Sequence, residues 1–120
     1  MNYFESTVLD VGEFASDFEA EKMMILFGDG APADLKDYCY SIQSKQLNKE
    51  IEAGHQIVFD NTPYQITAIG NKANDTFKEL CHITIKFDGK EIPDLPGTMH
   101  VMAENYPKIT VGTTIDFRES

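Results

Sequence analysis

The sequence contains no tryptophan, three histidines and two cysteines among its 120 residues. The cysteines, Cys39 and Cys81, do not belong to a CxxC pair, and no Cys/His cluster has the spacing of a zinc site. We therefore expect two free thiols that lie in strands and behave as small apolar side chains. The same spacing argues against a disulfide and against a bound metal.

Basic residues are also few, because ten Lys and Arg stand against twenty Asp and Glu and give a formal net charge of −10. Such a charge argues against nucleic acid and against anionic membrane surfaces as partners. No apolar run approaches the ~20 residues of a membrane-spanning helix, and the first residues lack the basic and apolar regions of a secretory signal. We expect a cytoplasmic protein with one domain over residues 1–120.

The chain resembles itself at a shift of 58 residues, since residues 51–59 and 109–117 both read I-x-x-G-x-x-I-x-F. Other short signatures recur in the same order, at the same shift for Val11-Gly12 and with the register slipping by one to three residues between the two blocks. They pair Val11-Gly12 with Ile69-Gly70, Asp29-Gly30 with Asp88-Gly89, and Asp34-Leu35 with Asp94-Leu95. We interpret the pattern as two half-repeats, at about 1–60 and 61–120.

Each half-repeat is predicted to contribute four strands. Alternation supports this, because Ile83, Ile85 and Phe87 would share one face of a strand. Turn signals such as Asp88-Gly89 separate the strands. The predicted strands are Tyr3–Val11, Met23–Phe27, Tyr38–Gln43, Gln56–Phe59, Tyr64–Ile69, His82–Phe87, Thr98–Met102 and Thr114–Arg118.

Helix is predicted only in short pieces, at Ser16–Glu21, Ala33–Tyr38 and Asn74–Leu80. Ser16 and either Asn74 or Asp75 are the expected N-caps. Two half-units that cannot each cover their own apolar face should pack together, and closure removes the exposed strand edges. We therefore predict an all-β or mainly β fold with short helices, a small closed or nearly closed barrel of two pseudo-symmetric half-units.

Three motifs together resemble the signatures of one known family. The motifs are Gly30-Ala31-Pro32-Ala33-Asp34-Leu35 followed by Tyr38-Cys39, then Leu80, His82 and Lys86-Phe87-Asp88-Gly89, then Pro96-Gly97-Thr98 with His100-Val101. In this order they are similar to the glucitol/sorbitol IIA family of the bacterial phosphoenolpyruvate-dependent sugar phosphotransferase system. The similarity extends from about residue 8 to residue 118, so it is far more specific than one short pattern.

The resemblance implies a soluble phosphoryl carrier without a metal or organic cofactor. Family members accept a phosphoryl group from the general carrier HPr on a histidine and pass it to the IIB domain of the glucitol permease, whose membrane component IIC phosphorylates the entering sugar. Their acceptor histidine lies in the strand just after the Tyr-Cys pair, and here that position holds Ile42. Either another histidine accepts phosphate, or the chain is a degenerate member that acts as a non-catalytic regulatory binding module.

A phosphoryl acceptor needs an exposed imidazole with one neutral nitrogen free and the other held by a hydrogen bond. We rank His100 first, because the Gly97 amide and the Thr98 hydroxyl stand close by in sequence and suit a phosphoryl group. The repeat places His100 opposite Tyr40, which would bring both strands near one shared site. His82 ranks second, as the acceptor or as the residue that orients His100.

Other interpretations stay open at this point. His82 and His100 are alternatively structural histidines inside the barrel, and His55 is expected to be a surface turn residue. A small β-barrel that pairs with itself as a homodimer is a further possibility.

Overall fold

Eight strands close into one barrel in the computed structural model, which describes residues 2–119. The strands are β1 Asn2–Val11, β2 Met23–Gly28, β3 Tyr40–Ile42, β4 Gln56–Phe59, β5 Thr62–Ile69, β6 Ile83–Lys86, β7 Thr98–Met102 and β8 Thr114–Arg118. Their order around the barrel is β1-β3-β2-β6-β7-β5-β4-β8. Every strand therefore has two neighbours, and the prediction of a closed, mainly β barrel is confirmed.

Two parallel pairs, β2 with β3 and β6 with β7, interrupt an otherwise antiparallel barrel. Each parallel pair needs a crossover connection, which runs through residues 29–39 in the first half and 87–97 in the second. If β1, β2, β3 and β4 are replaced by β5, β6, β7 and β8 and the reverse, the order around the barrel is the same, read in the opposite direction. This order is the one that two equivalent half-units require, while the internal repeat itself stays a prediction.

The helices are short, as predicted; the first and third begin one residue earlier than expected, and the second begins at Ala33 as predicted but ends at Lys36 instead of Tyr38. A 3₁₀ helix covers Ala15–Glu21, α1 covers Ala33–Lys36 and α2 covers Ala73–Leu80. None of these helices, within residues 2–119, has the length and hydrophobicity needed to span a bilayer.

The predicted N-caps were wrong. The 3₁₀ helix follows Phe14 and α2 follows Lys72, and neither residue caps its helix through a side-chain hydrogen bond. Ser16, Asn74 and Asp75 all lie inside the helices. The Asn74 side chain instead accepts from the Ile51 N–H at 2.7 Å and donates to the Ile51 carbonyl at 2.9 Å. The Asn74 side chain therefore hydrogen-bonds a residue distant in sequence and does not cap the helix.

The barrel interior is filled by alternate side chains of each strand. On β6, Ile83 and Ile85 are buried in the core, while the intervening Thr84 faces outward. Helix α2 contributes Phe77, whose ring packs edge-on against Phe4 and Phe117 with centroids 4.9 and 5.4 Å apart. One face of α2 therefore completes the core.

Both cysteines are buried free thiols, as predicted, but neither lies in a strand. Cys39 precedes β3, and Cys81 ends α2 with a left-handed backbone at φ 53°. Burial raises the pKa of both thiols, which keeps them protonated.

Gly12 and Gly70 lie where β1 and β5 pass a crossover connection. A Cβ at Gly12 would stand 2.4 Å from the carbonyl oxygens of Lys36 and Asp37. A Cβ at Gly70 would stand 2.2 Å from the carbonyl oxygen of Pro96. Only glycine permits these approaches, because the opposing atoms belong to the backbone and cannot rotate away.

Alanine at either glycine is expected to lower the free energy of unfolding by at least ~2 kcal/mol, because the backbone must shift. Gly30→Ala and Gly97→Ala are the matched controls, since a Cβ at either position meets nothing within 4 Å. Urea unfolding of the four variants measures the difference. Equal losses in all four would refute the assigned packing.

Candidate functional site

His82 stands at the junction of α2 and β6. The left-handed Cys81 turns the chain out of the helix, with its N–H donating to the Phe77 carbonyl at 2.8 Å. Because Ile83 faces the barrel interior, the preceding His82 faces outward. The half-buried imidazole therefore lies on the outer surface of the barrel.

The His82 ring is held by two contacts from β2. Its Nδ1 lies 3.1 Å from the Leu26 carbonyl oxygen. Its ring stacks on Phe27, with centroids 4.4 Å apart and planes inclined by 29°. A carbonyl oxygen only accepts, so Nδ1 carries the proton in this hydrogen bond. In the neutral imidazole, Nε2 is then left with a free lone pair.

The Nε2 atom of His82 has no hydrogen-bond partner in the described part of the chain, whereas every buried side-chain nitrogen and oxygen there has one. Nε2 is therefore accessible to solvent. In the neutral form of the ring, such an oriented and accessible nitrogen is a nucleophile.

Phe27 is the centre of a row of residues that crosses three strands on the outer side of the barrel wall. Phe27 and its neighbour Ser41 are covered there, with 6% and 4% of their surfaces exposed, while His82 is half-buried. The register pairs Phe27 with Ser41 on β3, and the pairing of Leu26 with Ile83 places it beside His82 on the other side. Sequence reasoning did not place Phe27 or Ser41 beside His82, because the register between β2, β3 and β6 is not visible in the sequence.

Gly28 lets the segment after β3 approach this row. A Cβ at Gly28 would stand 2.5 Å from Ser44 Oγ and 2.8 Å from the Leu80 carbonyl oxygen. Ser44 is fixed by Asp29, since its hydroxyl donates to Asp29 Oδ1 at 3.0 Å and accepts from the Asp29 N–H at 3.2 Å. The end of β2, the segment after β3 and the end of α2 therefore meet next to His82.

His100 has the opposite environment, because its side chain is fully buried and both ring nitrogens are engaged. Nδ1 lies 2.8 Å from Asp88 Oδ1, and Nε2 accepts the Asp94 N–H at 3.1 Å. An accepting Nε2 fixes the proton on Nδ1, which donates it to Asp88. The imidazole thus ties the second crossover to β7 and has no free lone pair.

Lysines neutralise the acidic groups around His100. Asp94 accepts from Lys86 at 3.0 Å and from Lys90 at 3.2 Å, and these hydrogen bonds hold the pKa of Asp94 below its ordinary value. The Asp88 and Asp94 carboxylates and His100 offer atoms within 4.8 Å of one another, a spacing that a metal would accept. Because these atoms already bond to lysine, backbone N–H and imidazole, we interpret the group as a structural network.

The Asp88 carboxylate gives this network a dependence on pH. Partial burial alone would raise the pKa of Asp88, but hydrogen bonds from His100 and the Lys90 N–H outweigh it and hold the pKa below its ordinary value. A lowered native pKa stabilises the fold above the unfolded-state pKa of about 4, and that contribution is lost as the pH falls through the native pKa.

Asp88→Asn is therefore expected to lower the Tm most at pH 7, with the difference from wild type shrinking below about pH 4. Glu91→Gln, an exposed change in the same crossover, is the control and should follow wild type throughout. Thermal melts at pH 3 to 7 measure both. A difference that stays constant over this range would contradict the assignment.

In the described residues, none of the groups expected to support His100 bonds to a histidine ring nitrogen. Thr98 is buried, and Gly97 is half-buried with its carbonyl accepting the Thr84 N–H at 3.3 Å. Tyr40 is buried in the barrel core. The expected shared site of Tyr40 and His100 is not formed, because β2 and β6 separate β3 from β7.

Ile42 and His55, the other positions considered from the sequence, do not offer an exposed and unbonded imidazole. Ile42, the position to which the resemblance assigns the acceptor, is fully buried in the core and faces the barrel interior. His55 is half-buried just before β4, and its Nδ1 bonds the Tyr3 hydroxyl at 2.7 Å. Burial, with the nearby Glu119 and Glu52, raises the pKa of Tyr3, so this hydroxyl stays protonated.

Comparison with known proteins matches residues 3–116 to the family model "PTS system glucitol/sorbitol-specific IIA component". The chain belongs to this family. It is 34% identical over 114 residues to the glucitol/sorbitol-specific EIIA components of Shigella flexneri and Escherichia coli K12, covering 95% of this chain and 93% of each relative. The crystal structure of a PTS system IIA component from Enterococcus faecalis V583 has 31% identity and a TM-score of 0.84, covering 96% of this chain and 99% of that one.

Family membership confirms the resemblance recognised in the three motifs, and with it the assignment as a IIA component of the phosphotransferase system. The likeness to the solved IIA component also extends over nearly the whole barrel.

Proposed function

We propose that this IIA component carries its phosphoryl group on Nε2 of His82, taking it from HPr and passing it to the IIB domain of a glucitol/sorbitol permease during sugar uptake. The observation that supports this most is the state of the His82 ring, with Nδ1–H bound to Leu26 and Nε2 exposed. His100, the first candidate from the sequence, has both nitrogens engaged and is better suited to holding the barrel together.

The proposed transfer forms one N–P bond and breaks another. The Nε2 lone pair attacks the phosphorus of phospho-HPr, and the electron pair of the breaking bond returns to the donor imidazole. Positive charge that develops on the His82 ring is stabilised by the Nδ1–H bond to the Leu26 carbonyl. In the second step the Nε2–P bond breaks towards IIB, and the ring returns to the neutral state. Rate then depends largely on positioning, which the Phe27 stack provides.

The proposal includes the partners and the location expected from the sequence. HPr and the IIB and IIC permease components are the proposed partners, and the cytoplasm is the compartment where HPr would be met. Self-association of the barrel as a homodimer is a separate prediction, which a concentration series in analytical ultracentrifugation checks.

Incubation with phosphoenolpyruvate, enzyme I and a cognate HPr tests the proposal. We expect a mass increase of one phosphoryl group that is labile in acid and stable in base, as a phosphohistidine requires. HPr binding without any label would instead favour the non-catalytic binding module, for which the comparisons give no support. A wild-type chain that remains unlabelled would refute the carrier role.

A further inference from the structure

Helix α1 and the turn before the 3₁₀ helix expose an apolar surface that the chain itself leaves uncovered. No residue of α1 is buried. Three large side chains are exposed here, namely Phe14 at 38%, Leu35 at 44% and Tyr38 at 44%. We call these three residues the α1 patch.

The α1 patch is rigidly built. The Phe14 N–H donates to the Asp37 carbonyl at 2.8 Å, which ties the two segments together. The rings of Phe14 and Tyr38 lie 5.6 Å apart, and Phe18 supports Tyr38 from 6.3 Å. Exposed aromatic side chains held in place lose little conformational entropy on binding, and aromatic anchors of this kind dominate binding energy at protein interfaces.

The segments that build the α1 patch are strongly acidic. Residues 10–17 and 34–38 carry five exposed carboxylates and one lysine. The lysine, Lys36, lies 3.9 Å from the Asp10 carboxylate. The carboxylates belong to Asp10, Glu13, Asp17, Asp34 and Asp37. An apolar centre with a charged rim is the usual composition of a protein-binding surface.

The negative charge around the α1 patch indicates which kind of protein could bind there. A second copy of this chain would bring the same acidic rim against the patch, and like charges facing each other oppose such an interface. A protein surface with an apolar centre and a rim of Lys and Arg complements it in both respects.

The α1 patch is also close enough to His82 to share one interface with it. Tyr38 is three residues from Ser41, which is at most about 10 Å along the chain. Ser41, Phe27 and His82 lie on neighbouring strands about 4.8 Å apart. The α1 patch and His82 are therefore at most about 20 Å apart along this path. A standard interface of about 800 Å² per partner is roughly 30 Å across.

We propose that the α1 patch is the docking surface for a basic-rimmed protein that exchanges phosphate with His82. This inference rests on the carrier function proposed above. The patch would bind the partner and orient it, while His82 alone would carry the phosphoryl group.

Two phosphoryl donors separate docking from chemistry. HPr needs a docking surface, whereas phosphoramidate is a small molecule that reaches an exposed imidazole directly. For Phe14→Ser/Tyr38→Ser we expect kcat/KM with phospho-HPr to fall about tenfold or more, with the phosphoramidate rate within about twofold of wild type. Val111→Ser, which removes a side chain that is 64% exposed elsewhere, is the control and should match wild type with both donors.

Unchanged labelling by phospho-HPr in the patch variant would overturn the docking surface. An equal loss with both donors would also overturn it, because the site itself would then be damaged. A concentration-dependent mass that Tyr38→Ser abolishes would assign the patch to a second copy of the chain and would equally overturn the proposal.

An NMR titration with unphosphorylated HPr separates the docking surface from the carrier function. Unphosphorylated HPr added to His82→Ala should shift the backbone amide resonances of the α1 patch, because docking does not require the acceptor. Such shifts in a wild-type chain that takes no label would uphold the surface and refute the carrier function. Shifts confined to other parts of the barrel would refute the surface.

Discussion

His82→Ala is expected to reduce labelling by phospho-HPr by on the order of 10³-fold or more, because the variant loses the attacking nitrogen itself. The fold should persist, since the ring is only half-buried and lies outside the barrel core. The lost Leu26 hydrogen bond and Phe27 stack are each expected to cost about 1 kcal/mol. Labelling rates with phospho-HPr, measured at a temperature where both proteins are folded, give the comparison.

His55→Ala is the matched control for this experiment. It removes the other half-buried histidine, whose Nδ1 is engaged by Tyr3. Labelling of this variant is expected to stay within about twofold of wild type, as for a change outside the reacting group. The acceptor assignment would fail if His55→Ala abolished the label or if His82→Ala kept it.

His100→Ala is expected to lower the free energy of unfolding by about 3–5 kcal/mol, the range for emptying a buried aromatic site and leaving its partners unbonded. The change removes a fully buried ring, the Nδ1–H bond to Asp88 and the acceptor of the Asp94 N–H. For a domain of this size the Tm should fall by about 10–20 °C. Thermal and urea unfolding at pH 7 measure the loss.

Two further variants show whether His100 acts through structure alone. Met102→Ala removes an outward-facing side chain of the same strand that is 60% exposed, and should change stability by less than about 0.5 kcal/mol. His100→Asn keeps one donor and one acceptor, so it should unfold less readily than His100→Ala and should still accept phosphate. Loss of label in a folded His100→Asn would contradict the structural role.

The barrel was predictable because its strands are short apolar segments bounded by turn signals, and some of them alternate between apolar and polar residues. Gln56–Phe59, Thr98–Met102 and Thr114–Arg118 have the predicted bounds. The third strand was predicted to begin at Tyr38 and begins at Tyr40, because the chain is still leaving the crossover there. A crossover of this kind depends on the packing of distant residues, such as Gly12 against Asp37, which local propensity does not contain.

The histidine ranking was harder to predict than the fold. His100 occupies an outward-facing position of β7, which on most strands would be exposed. Here the crossover at residues 88–94 covers it and supplies both hydrogen-bond partners. The sequence contains these residues, yet it does not reveal which face of the barrel the crossover covers.

The family's acceptor position illustrates the same limit. The resemblance assigns the acceptor position to Ile42, but only the folded barrel shows that this side chain faces the core. The free nitrogen of His82 depends on the Leu26 carbonyl and the Phe27 ring, both on a strand far away in sequence. No local pattern signals such a contact.

Locating the phosphoryl group on the wild-type chain tests the central claim most directly. After labelling with phospho-HPr, nitrogen-15 and phosphorus-31 NMR of the histidine rings identifies both the residue and the nitrogen that bears phosphate. The structure predicts phosphate on Nε2 of His82, with the proton kept on Nδ1 and the rings of His55 and His100 unchanged. Phosphate on His55 or His100, or on Nδ1 of His82, would contradict it.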